Sequence, residues 1–78
     1  MTVFQERLQQ LRVDANLTVR EMAERLGYAL EGNSLLSSWL YRGHVPGARN
    51  LWNIAKTFDV SVDYLLGLSN HHRPKGGR

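Results

Sequence analysis

Signals that start and stop helices divide this sequence into short segments, and this division constrains the fold more than any other feature. Thr2 with Gln5, and Thr18 with Glu21, have the Thr-x-x-Gln/Glu form of a capping box, which marks the first turn of a helix. Apolar residues then recur at the spacing of one helix face, and no convincing strand pattern appears. The chain is therefore predicted to be all-α.

Five short helices are predicted, at about residues 3–13, 19–26, 35–41, 48–58 and 62–66. In the first helix Gln5 is placed on the solvent face. Asn33 and Ser34 are expected to open the third helix, while Ser61 caps the fifth. The fourth helix has a wide apolar face, expected to be buried, formed by Ala48, Leu51, Trp52, Ile54, Ala55 and Phe58.

Length and composition restrict the class of protein. With 78 residues and 42% hydrophobic content, the chain is predicted to form one small globular domain. It has no cysteine, which excludes disulfides and thiolate zinc sites, and no apolar run long enough to span a membrane. The charged N-terminal segment does not resemble a signal peptide, so a cytoplasmic protein is expected.

Enzymatic and cofactor motifs are weak. The imidazoles are His44, His71 and His72, and no metal-ligand spacing surrounds them. The serines near His44 lack the sharp turn of a nucleophile elbow. We expect no catalytic activity, no metal and no cofactor.

Charge is distributed unevenly along the chain. Ten Lys/Arg and seven Asp/Glu residues give a net charge of +3, but three bases lie at Arg73, Lys75 and Arg78, so that 7 − 7 = 0 for residues 1–70. From Gly32 to Phe58 there are three bases and no acid. Such a stretch can face a polyanion without repulsion, or it can reflect chance clustering in a small protein.

The order of these signals resembles the phage-repressor/Cro family of helix-turn-helix proteins, also called XRE-like. Residues 17–27 look like its second helix, residues 36–39 like the second half of its recognition helix, and residues 54–67 like its last two helices. The resemblance covers roughly residues 4–67 and implies a five-helix, lambda-repressor-like DNA-binding domain with the helix-turn-helix at helices 2 and 3. The domain is expected to span residues 1–68, with 69–78 as a flexible basic tail.

One departure from the family pattern concerns the turn between helices 2 and 3, which is three residues longer than usual. Ala29 or Leu30 is expected to fill the core position that the family's turn residue occupies.

The resemblance also implies which side chains meet DNA. Short polar residues of helix 3 are expected to contact bases in the major groove: Asn33, Ser34, Ser37 and Ser38. Phosphate contacts are expected from Thr18, Val19, Arg20, Tyr41, Arg42, His44 and Arg49.

Structural alternatives stand beside several of these roles. Asn33 and Ser34 can act only as helix caps, and Arg20 can pair with Glu24 one turn along. The two tryptophans could stack on single-stranded bases, but Trp39 and Trp52 are both expected in the core.

The implied function is a sequence-specific regulator, a repressor in a prokaryote or phage, that binds double-stranded DNA as a homodimer on a pseudo-palindromic operator. The expected dimer interface is made of whichever of Tyr64, Leu65, Leu66 and Leu68 are not core. The alternative is a protein-interaction module of the same fold, such as an antitoxin or an assembly partner.

Overall fold

A computed structural model describes residues 1–28 and 32–71, and over these residues it has five α-helices and no strand. The helices are α1 (Val3–Asp14), α2 (Val19–Arg25), α3 (Gly32–Tyr41), α4 (Ala48–Phe58) and α5 (Val62–Leu66). The all-α prediction is confirmed. The expectation that Ala29 or Leu30 fills the core falls outside the described residues.

Both capping boxes are formed. Thr2 Oγ1 accepts from the backbone N–H of Gln5 at 3.1 Å, while the Gln5 side chain accepts from the N–H of Thr2 at 2.7 Å. The same reciprocal pair joins Thr18 and Glu21 at 3.0 and 2.8 Å. Each box satisfies backbone donors that a helix leaves free in its first turn, which is why local sequence located these starts.

The third helix begins earlier than predicted. Gly32 is already helical, so Asn33 and Ser34 lie within the first turn instead of capping it. Gly32 is buried, and a Cβ atom placed there would lie 2.6 Å from the Cβ of Ala23. Because Gly32 carries no side chain, the backbone of α3 can pack directly against α2.

The core lies between all five helices. Its fully buried members include Leu8, Met22, Leu36, Ile54 and Leu65. Among the element pairs, α1 packs against α3 and α5, α2 against α3, and α4 against α5. This arrangement holds α3 from two sides and leaves its remaining face to solvent.

The two tryptophans differ in burial. Trp39 is 4% exposed, as expected of a core residue, but Trp52 is 58% exposed and the prediction that it is buried was wrong. Lys56 lies over the Trp52 ring, with Nζ 4.7 Å from the ring centroid. Ala48 is exposed as well, because α4 buries only the side of its apolar face that carries Leu51, Ile54 and Ala55.

The placement of Gln5 on the solvent face was also wrong. Gln5 is buried, and its Nε2 donates to the carbonyl oxygen of Leu40 at 3.3 Å. This bond links the start of α1 to the last turn of α3. A single side chain therefore caps one helix and holds another.

The C-terminal end of the described chain is bound to α1. Arg7 Nη1 donates to the carbonyl oxygens of Tyr64 at 2.8 Å and Ser69 at 2.6 Å, and Nη2 donates to Asn70 Oδ1 at 2.9 Å. The proposed domain boundary at residue 68 stays a prediction, since residues 72–78 lie outside the described part.

The expected dimer interface is smaller than the sequence allowed. Tyr64 and Leu65 are buried core residues, so they are not available to a second chain. Leu66 and Leu68 are exposed. Val3 lies close to Gly67 between them, because a Cβ atom placed on Gly67 would be 2.9 Å from Val3 Cγ1.

Candidate nucleic-acid interface

One face of α3 is polar and open to solvent. At about 100° per residue, an arc of about 140° on this helix contains Asn33, Ser34, Ser37, Ser38 and Tyr41. Its opposite side carries the buried Leu36, Trp39 and Leu40. The structure therefore brings all four predicted base-contacting residues onto one face, together with the predicted phosphate contact Tyr41.

The first turn of this face is open. Asn33 and Ser34 are exposed, and Ser37 is half-buried. Their side chains make no hydrogen bond to any residue in the described part of the chain. The donors and acceptors of an amide and two hydroxyl groups are thus available to an external partner.

Ser38 differs from its neighbours on this face. Its Oγ is hydrogen-bonded to Nδ1 of His44, in the loop that follows the helix. The Ser38 carbonyl oxygen also accepts from the backbone N–H groups of Arg42 and His44, both at 3.2 Å. Ser38 and His44, predicted for separate roles, therefore form one unit.

Two exposed cations follow the polar face along the chain. Arg42 follows α3 and Arg49 lies in the first turn of α4, and both are exposed. Neither pairs with an acid among residues 1–28 and 32–71. Because the sequence has no acid between Gly32 and Phe58, their charge is not neutralised by nearby residues of these two helices.

The residues at the start of α2 make more contacts within the chain than those at the start of α3. The backbone N–H of Thr18 donates to the Glu21 carboxylate, and the side chain of Val19 packs against the core. Arg20 is exposed and its Nε lies 3.7 Å from Glu24 Oε2, which is the structural alternative considered for it. These contacts do not gather Thr18, Val19 and Arg20 into one site.

Sequence reasoning missed the side chains that join α4 to the segment immediately after α2. The hydroxyl of Tyr28 donates to Asn50 Oδ1 at 2.7 Å, and Asn53 Nδ2 donates to the carbonyl oxygen of Leu26 at 2.8 Å. The Tyr28 ring also meets Trp39 edge-on, with centroids 5.8 Å apart. Two asparagines three residues apart on α4 were the available signal, but their partners are more than twenty residues away in sequence.

Other site chemistries find no support in the part of the chain that the structure describes. No group of three or more His, Cys, Asp or Glu side chains there could hold a metal ion. Among the five described helices, none contains an apolar stretch of membrane-spanning length.

Comparison with known proteins finds two similar transcriptional regulators. The chain is 36% identical over 73 residues to an uncharacterized HTH-type transcriptional regulator, YobD, of Bacillus subtilis (strain 168); the match covers 94% of this chain and 62% of that protein. It is 38% identical over 63 residues to the HTH-type transcriptional activator BcrR of Enterococcus faecalis, covering 81% of this chain and 29% of that protein. The chain thus spans less than two thirds of the length of either relative.

No solved structure matches this chain significantly. Residues 8–65, by contrast, match the family described as "Helix-turn-helix", and this range includes α2, α3, α4 and most of α1 and α5. The five-helix arrangement and the packing of α2 on α3 agree with that match. The chain belongs to the helix-turn-helix family of proteins that resemble the phage repressors and Cro.

Proposed function

We propose that this chain is a sequence-specific regulator of transcription that binds double-stranded DNA and reads the major groove with α3. The observation that carries the proposal is the polar face of α3. The side chains of Asn33 and Ser34 at its start are exposed and make no hydrogen bond within the described chain. A helix enters the major groove when short polar side chains let its backbone approach the base edges.

The charges support the same orientation. Arg42 and Arg49 are exposed, and both lie in the acid-free stretch that also contains α3. Phosphate contacts supply most of the affinity of DNA-binding proteins and fix their register on the duplex. These two arginines are therefore assigned to the phosphate backbone of the DNA. Tyr41, which is 59% exposed, adds a hydroxyl donor next to Arg42 in the sequence.

The proposal places the chain with the DNA in the cytoplasm of a prokaryote, or in a phage-infected cell, and assigns it no catalytic activity. Repression remains a prediction; one relative is named an activator. A homodimer on a pseudo-palindromic operator is part of the proposal. Leu66 and Leu68 are the exposed residues assigned to its interface.

Selection from a random duplex pool tests this function. We expect a pool incubated with the purified chain to yield one preferred sequence, with two half-sites separated by about one helical turn, or about 34 Å. Affinity for the selected duplex should fall steeply as salt rises. Absence of duplex binding at about 50 mM salt, across varied sequences, would rule the proposal out.

A protein-interaction module of the same fold is the second candidate, and the exposed Trp52 favours it. Tryptophan is enriched at protein interfaces, and the Trp52 side chain is 58% exposed. The selection experiment separates the two functions, because a module that binds only protein retains no duplex at any salt concentration.

A further inference from the structure

Ser38 and His44 are joined at both main chain and side chain. Besides the bond between Ser38 Oγ and His44 Nδ1, the carbonyl oxygen of Ser38 accepts from the N–H of His44 at 3.2 Å. Between them Gly43 has a φ of +82°, a conformation that residues with a Cβ atom rarely adopt. The turn at Gly43 folds the loop back over the end of α3. The imidazole of His44 is therefore held next to the polar face of α3.

The hydrogen bond determines which ring nitrogen faces outward. Within the described chain, the Ser38 hydroxyl has no other acceptor for its proton, and His44 Nε2 has no partner. When the hydroxyl donates to Nδ1, the proton of a neutral imidazole resides on Nε2. A doubly protonated ring also carries Nε2–H, so an outward donor is present in both states.

We propose that Ser38 is a positioning residue whose hydroxyl fixes His44 so that Nε2–H donates to a DNA phosphate. This inference rests on the proposed DNA-binding function and deepens it. It gives Ser38 a positioning role instead of the predicted base contact, because the one proton of its hydroxyl is donated to His44. The exposed imidazole becomes the DNA-facing group of the pair.

Ser37 is the matched control for the state of the His44 ring. It is half-buried on the same face as Ser38, but its hydroxyl makes no hydrogen bond to the described residues. Ser37→Ala and Ser38→Ala remove the same atom one residue apart, and only the second releases His44. Ser38→Thr keeps the hydroxyl and serves as the conservative rescue.

A double-mutant cycle on the selected duplex tests the pair. We expect Ser38→Ala and His44→Ala each to weaken binding about three- to tenfold, the range of one net hydrogen bond. The double variant should lose no more than the more severe single variant, and base preference should stay unchanged. Ser38→Thr should bind like the unmodified chain. Additive losses, or a changed base preference in Ser38→Ala, would overturn the positioning role.

Imidazole ¹⁵N chemical shifts provide a readout that needs no DNA. We expect the Nε2–H form of neutral His44 to dominate in the unmodified chain and in Ser37→Ala, and a tautomer mixture in Ser38→Ala. The same mixture of tautomers in all three proteins would contradict the hydrogen bond from Ser38 to His44. If the unmodified chain bound no duplex, the proposed function and the phosphate contact would both fail. Duplex binding with independent losses would overturn only the role of Ser38.

Discussion

A Cβ atom placed on Gly32 falls 2.6 Å from the Cβ of Ala23 and 3.0 Å from the Cβ of Tyr28. Carbon atoms do not approach so closely without displacement of one element. The neighbouring atoms are attached directly to backbone, so relief requires α2 and α3 to separate. The packing of the helix-turn-helix therefore depends on the absence of a side chain at position 32.

Gly32→Ala is accordingly expected to destabilise the fold. Helix propensity alone would favour alanine by about 0.5–1 kcal/mol, but overpacking should reverse the sign and lower the free energy of unfolding by about 1–3 kcal/mol. Urea denaturation followed by circular dichroism measures the change. Ser34→Ala, two residues along on the exposed face, should keep or slightly raise stability. A stabilised Gly32→Ala protein would contradict the close approach.

The two tryptophans should respond very differently to truncation. Trp39→Ala removes a buried side chain and is expected to cost about 3–5 kcal/mol, enough to unfold much of a small domain. Trp52→Ala removes an exposed ring and should change the free energy of unfolding by about 0.5 kcal/mol or less. Thermal melts of both variants check this. Equal losses would mean that α4 buries its whole apolar face.

Arg7→Lys should destabilise the junction between α1 and the segment after α5. Arg7 donates to two carbonyl oxygens and lies over the Tyr64 ring, with its guanidinium carbon 4.3 Å from the centroid. Lysine keeps the charge but lacks the planar fork, so we expect a loss of about 1–2 kcal/mol in urea denaturation. Arg25→Lys, at an exposed position of α2, is the control and should have no effect.

Arg42 and Arg49 should determine much of the salt dependence of duplex binding. Replacing either with alanine removes one phosphate contact and is expected to reduce the slope of log affinity against log salt by about 1. Titrations of the selected duplex at several salt concentrations measure this slope. Arg25 is the last residue of α2, at the end opposite Thr18. Arg25→Ala removes the same charge there and should leave the slope nearly unchanged. An equal reduction by all three variants would indicate only a general charge effect.

Asn33→Ala should change which sequence is preferred. An asparagine amide can bind adenine through two hydrogen bonds, and losing such a pair costs about 1–3 kcal/mol of discrimination at one base position. Repeated selection with the variant should relax the preference at that position only. Arg42→Ala, tested in parallel, should weaken all sequences alike. If Asn33→Ala also weakened binding to all sequences alike, Asn33 would be assigned to the phosphate backbone of the DNA and not to a base.

Local sequence was sufficient where the deciding atoms are close along the chain. The capping boxes at Thr2 and Thr18 use groups three residues apart, and the start of α4 at Ala48 and the end of α5 before Gly67 were located to the residue. Such signals depend on the backbone's own unsatisfied groups, which do not change with the rest of the fold. The family resemblance followed from the order of these helices.

The candidate site was located only in part. The family resemblance pointed to Asn33, Ser34 and Ser37, and the structure places these residues on one polar face of α3. The resemblance could not reveal that Ser38 is bonded to His44, because that contact depends on how the loop turns at Gly43. Residue type and spacing indicated which groups can bind DNA, and the loop geometry decided which of them are already engaged.

The sequence by itself determined five helices, their main boundaries and the family to which they belong. Tertiary structure decided that Gln5 is buried and Trp52 exposed, that Arg7 binds the segment after α5, and that α3 begins at Gly32. The physical reason is the same in each case. Whether a face is covered depends on which helix packs opposite it, and that partner is set by contacts between residues far apart in the chain.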